Sequence, residues 1–100
     1  LTAAMGTATD AGKIVIDTTK ANTTSEAKYA FADTLEAAKT GLTSGTNYSS
    51  ALEQSATGLT ANKKEVYLAV TLTDELGSTI TKTYKVTGDE TVISNIVEVK

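Results

Sequence analysis

The residues able to do acid–base or metal chemistry in this chain are carboxylates alone, and they are few and scattered. Asp74-Glu75 and Asp89-Glu90 are adjacent pairs, each in a stretch that reads as a turn, where acidic side chains are ordinarily solvated. Asp10, Asp74 and Asp89 are the oxygen donors a Ca²⁺ site would draw on, but the spaced loop of ligands such a site needs is missing. There is no His and no Cys. A Ser-His-Asp triad, a thiol nucleophile and the common zinc sites are therefore all excluded. All nine basic residues are Lys, so the bidentate clamp that Arg offers to phosphate or carboxylate is absent too. Gly41, Gly45 and Gly58 lack the Lys-Ser/Thr ending of a phosphate loop. No catalytic, cofactor-binding or metal-ligating residue is assigned, and the chain reads as a non-enzyme.

Other candidates concern contact and modification. Tyr29, Tyr48, Tyr67 and Tyr84 are candidates for contact; Tyr67, on the polar face of its strand, reads either as part of an exposed contact surface or as a residue that shields a sheet edge or covers a helix. Lys63-Lys64 stands before a strand as an edge-protecting pair. Asn22-Thr23-Thr24 and Asn47-Tyr48-Ser49 are glycosylation sequons in segments read as loops, although 27 Ser and Thr in the chain make chance occurrence common.

The elements that must carry these residues follow from periodicity. Residues 1–12 are small and polar without a clear period and read as a flexible lead-in or linker, with residues 13–100 as one domain. Leu1 is not a translation start, so the chain reads as processed, trimmed or begun at an internal point. Lys13-Ile14-Val15-Ile16-Asp17-Thr18-Thr19 is β-branched and predicts a first strand. Thr23 and Glu26 have capping-box spacing, and Ala27, Phe31, Leu35 and Ala38 recur at helical intervals, predicting a long helix over residues 24–40 that stops at Gly41. A shorter helix is expected from Ser50 and Glu53 to Gly58. The two stretches echo each other at an offset of 17, with six of ten positions identical between residues 34–43 and 51–60. That echo reads either as a duplicated unit or as reuse of Thr-Gly-Leu-Thr as a helix stop, and two copies fall short of the three or so a repeat array needs.

Three strands then follow. Val66, Leu68, Val70 and Leu72 share one face of the first. A turn with Gly77 leads to a return strand over residues 79–86, with Ile80, Tyr84 and Val86 on one face. Gly88-Asp89 turns the chain into residues 91–99, where Ser94-Asn95 interrupts the apolar pattern as a bulge or register switch. The predicted class is α+β: an antiparallel or mixed sheet of about four strands in the order β-α-α-β-β-β, with one long and one short helix packed on one face.

Composition narrows the function. A net charge of −3 and a pI near 4.8 argue against a nucleic-acid surface. No apolar run approaches the roughly 20 residues that span a bilayer. Thr supplies 20 residues and Ala 14, with no Cys, His, Trp or Pro. In that bias, and in hairpins such as Thr71-Leu72-Thr73-Asp74-Glu75-Leu76-Gly77-Ser78, the chain resembles the variable outer domains of bacterial flagellins and some surface-layer or pilus subunits. The long terminal coiled-coil helices of a flagellin and the apolar N-terminal helix of a pilin are missing. The resemblance implies a structural subunit or domain of an extracellular microbial assembly (filament, surface layer or adhesin stalk), located outside the cell or on its surface. It would act through protein–protein contacts and self-association, with residues 91–99 or 13–19 as edges for strand addition. The alternatives are a phage virion component, tail-tube or decoration protein, and a cell-surface binding module. Lacking Trp and having a single Phe, the chain is poorly equipped to stack on sugar rings.

Overall fold

The computed structural model describes residues 1–17, 26–73 and 76–99. It is a mixed α+β fold: seven strands, one short α-helix and 3-10 turns among the described residues. The strands are β1 (Thr2–Met5), β2 (Ile14–Asp17), β3 (Glu26–Ala32), β4 (Thr46–Asn47), β5 (Glu65–Thr73), β6 (Thr79–Gly88) and β7 (Ile93–Val99), and the helix is α1 (Leu35–Gly41). Strands β4-β3-β5-β6-β7 form a five-stranded antiparallel sheet, while β1 and β2 pair as a separate two-stranded one.

Strand β5 is the centre of the molecule. Val66, Leu68, Val70 and Leu72 point to one face and are each no more than 2% exposed, as their alternation predicts. Across β6 the register sets Tyr84 opposite Leu68 and Val86 opposite Val66, both buried. Ile80 shares that face but is 47% exposed, at the end of β6 beside the turn. Against this face lie Ile14 and Ile16 of β2, with Leu1, Leu52 and Leu59, completing one core.

Two sequence expectations on the first half need correction. Residues 2–5, expected within a flexible lead-in, form β1, and β1 pairs in register with β2 from Thr2 opposite Asp17 to Met5 opposite Ile14. β2 itself holds the first predicted strand up to Asp17, but in the small sheet rather than the large one; Thr18 and Thr19 lie outside the described residues.

The long helix over residues 24–40 is also corrected. Its first half is β3, and the helix proper is the seven residues of α1. Ala27, Phe31, Leu35 and Ala38 fit a helical stripe, but Ala27, Tyr29 and Phe31 equally fit strand alternation. The strand wins because it supplies a full backbone ladder to β5, from Glu26 opposite Thr73 to Ala32 opposite Tyr67. The helix start is then Thr34, whose hydroxyl accepts from the Ala37 amide at 3.1 Å. The predicted cap at Thr23 lies outside the described residues.

The second predicted helix is absent. Leu52 instead exchanges two backbone hydrogen bonds with Ile14, at 2.8 and 2.9 Å, and a 3-10 turn at Gln54–Ala56 follows. The sequence echo therefore has no structural counterpart. Gly41 has φ −62° inside a helical run, whereas Gly58 has φ +80°, where its missing Cβ is required. Two identical Thr-Gly-Leu-Thr strings adopt different backbones because their tertiary partners differ.

Helix α1 contacts only part of the outer sheet face. It lies over β3 and β5, where Ala30 and Ala69 are small enough to let it approach. A Cβ added at Gly41 would stand 3.1 Å from that of Ala30, and Ala38 is wholly buried beneath the helix. Among the described residues, no helix lies over the outer face of β6 and β7 as α1 lies over β3 and β5.

Candidate interaction surface

The carboxylate pairs do not converge. Asp74 and Glu75 lie outside the described residues. Asp89 closes the β6–β7 turn: its Oδ1 accepts from the Thr91 amide at 2.8 Å, the Thr91 hydroxyl at 2.8 Å and the Val92 amide at 3.0 Å. The Thr91 bonds first, then the Val92 amide, hold its carboxyl below the usual carboxylate value. Gln54 ties the same turn to the 54–59 loop, its amide donating to the carbonyls of Asp89 at 2.7 Å and Leu59 at 3.0 Å. Asp89 is thus a turn clamp. No cluster of three or more carboxylates capable of holding a metal occurs among the described residues. None of the described helices is long and apolar enough to cross a membrane.

Lys63 and Lys64 do not guard an edge, because the strand they precede is the central one. Lys63 Nζ meets Asp33 Oδ1 at 2.7 Å, and the Lys64 carbonyl accepts from the Gly88 amide at 3.0 Å. Tyr67 lies half-buried on the outer face, in register between Ala32 and Lys85. Asn47 of the second sequon is exposed on β4, and the first sequon is outside the described residues.

Two of the four candidate tyrosines, Tyr84 and Tyr48, act as clasps within the fold. The Tyr84 hydroxyl accepts from the Ala3 amide of β1 at 3.0 Å, and the Tyr48 hydroxyl accepts from the Ile16 amide of β2 at 3.2 Å. Burial, which outweighs the Ala3 bond, pushes the Tyr84 phenol up from its ordinary value. Both clasps occupy amides that the β1–β2 ladder leaves pointing outward. Together with Leu52 on Ile14, they close much of the edge of the small sheet.

A shallow concavity of about 600 Å³ lies on the outer face, lined in part by Lys28, Lys39, Thr71, Thr73, Thr79 and Thr81. Its threonines face one another in pairs, Thr71 with Thr81 and Thr73 with Thr79, each at 3.4 Å between hydroxyl oxygens. Lys39 meets Glu36 at 3.7 Å. The four paired hydroxyls and Lys39 thus have partners of their own.

The large sheet ends differently. On one side, the two residues of β4 cover part of β3. On the other, β7 is a seven-residue edge. Its backbone orientation follows from the ladder. Gly88 donates towards Lys64 on the β5 side, so Thr87, Lys85 and Thr83 turn their backbone groups towards β7, where they meet Asn95, Val97 and Val99. The N–H and C=O of Ile96 and Glu98 consequently point away from the sheet. Flanking this edge, Val97 is 51% and Val92 43% exposed. A bulge ends the run: Thr87 opposes Asn95 and Gly88 opposes Ile93, leaving Ser94 as the extra residue. That is one of the two readings the Ser94-Asn95 interruption allowed. Comparison with protein-family models, with curated proteins and with solved structures finds no match.

Proposed function

We propose that this chain is a structural module of an extracellular microbial assembly and works through protein–protein contact. The observation that carries the reading is the β7 edge, with outward backbone groups on Ile96 and Glu98 beside an exposed Val97. Such an edge is a template for another strand, and proteins that do not use one usually blunt it with Lys, Pro or short length. Here the described part of the edge has neither Lys nor Pro, and the features that limit it are the bulge at Ser94 and the charge of Glu98. A composition rich in Thr and Ala and free of Cys and His supports an exported structural role over an enzymatic one.

The test is the assembly state across a concentration series, by light scattering with negative-stain microscopy. Particles larger than the 10.4 kDa chain, growing with concentration, are expected. A monomer at every concentration and salt level would refute self-assembly as its mode of action.

A further inference from the structure

We propose that β7 pairs with β7 of a second copy of this chain, antiparallel and two-fold symmetric about Val97. The inference rests on the contact-module reading above and names its partner and register.

Three registers are open to such a pairing, and the residues separate them. Centring on Glu98 sets two carboxylates directly opposite one another, which is destabilising. Centring on Ile96 brings in Ser94, the bulged residue whose backbone has left the ladder. Centring on Val97 uses the groups that point outward. Ile96 of each copy opposes Glu98 of the other, and their N–H and C=O groups close four hydrogen bonds. Val97, 51% exposed in the single chain, then faces its own mate across a non-hydrogen-bonded pair, where side chains approach most closely. Glu98 faces Ile96 rather than a like charge. The interface is isologous, as a two-fold contact must be. The two sheets join into one continuous sheet of ten strands, because each copy contributes the five of its own.

This register makes a covalent prediction in a chain without cysteine. Paired residues in a non-hydrogen-bonded position have Cα atoms about 4.5 Å apart, within the range a disulfide spans. Val97→Cys is therefore expected to double in mass on mild oxidation. Asn95→Cys, four residues from its own mate in this register, is expected to form no cross-link. Glu98→Pro removes one outward N–H without touching the bonds to β6, so it should abolish association while the circular dichroism spectrum stays unchanged. Equal cross-linking of the two cysteine variants, no cross-linking of Val97→Cys, or a Glu98→Pro variant that folds and still associates would each overturn the register. Light scattering of the unmodified chain separates the two claims. Assembly without the Val97 cross-link removes this pairing and leaves the contact-module reading standing, whereas a monomer throughout removes both.

Discussion

Leu68→Ala is expected to destabilise the domain by about 3–5 kcal/mol, the range for a fully buried leucine cut back to alanine. Leu68 has no exposed surface and sits at the middle of the central strand, between Phe31 of β3 and Tyr84 of β6. Strands on both sides fix its backbone, so the site cannot collapse around the lost volume and a cavity remains. A domain of this size is typically stable by about 5–15 kcal/mol, so the loss consumes a large part of the total. Thermal unfolding should show a Tm lower by on the order of 10–30 °C. Leu76→Ala is the control: Leu76 is 84% exposed, and its truncation should fall within about 0.5 kcal/mol of no change. A Leu68→Ala variant as stable as the parent would mean that the core is not where the structure places it.

Gly88→Ala should be nearly as costly, for a steric reason. Gly88 ends β6 at the bulge, and a Cβ there would collide with the Val92 carbonyl oxygen and come within 3.0 Å of Ile93 Cα and Leu59 Cδ1. Two of the three obstacles are backbone atoms, which cannot swing aside as a side-chain end can. To fit the methyl, the β6–β7 turn must open, and its opening strains the Asp89 clamp and the bond from the Asp89 amide to the Val92 carbonyl. Overpacking of a closed site costs about 1–3 kcal/mol and more where backbone must move. Gly58 gives a useful contrast. A Cβ there meets nothing within 4 Å, but φ is +80°, so Gly58→Ala is strained by conformation alone. Urea unfolding of both variants should rank Gly88→Ala as the more damaging.

The C-terminal half of the fold was legible in the sequence because its strands are long and its neighbours in space are neighbours in sequence. Val66, Leu68, Val70 and Leu72 alternate without interruption, and Gly77 adopts φ +84° in the turn that follows. Ser94 marks its bulge by breaking the apolar pattern. The N-terminal half was less legible because its pairings are non-local. Thr2-Ala3-Ala4-Met5 has weak strand propensity and becomes a strand by pairing with β2 and by the Tyr84 clasp, 81 residues away in sequence. Residues 26–32 fit two periods at once, and only the ladder to β5 decides between them. Leu52 reads as part of a helix face, yet its partner is the backbone of Ile14.

The contact surface was half legible. Residues 91–99 and 13–19 both read as strands able to take another. The structure closes β2 with Leu52 and Tyr48 and leaves β7 with outward groups at Ile96 and Glu98. Which residues along β7 face outward is set by register, and register depends on where the bulge falls.

Amide hydrogen exchange at Ile96 and Glu98 tests the central claim most directly, read in dilute and in concentrated solution. In a dilute chain these two amides should exchange quickly while those of Val97 and Val99, bonded to β6, are protected. On concentration, Ile96 and Glu98 should become protected together. Protection already complete in the dilute chain, or protection appearing on another strand while β7 stays unchanged, would contradict it.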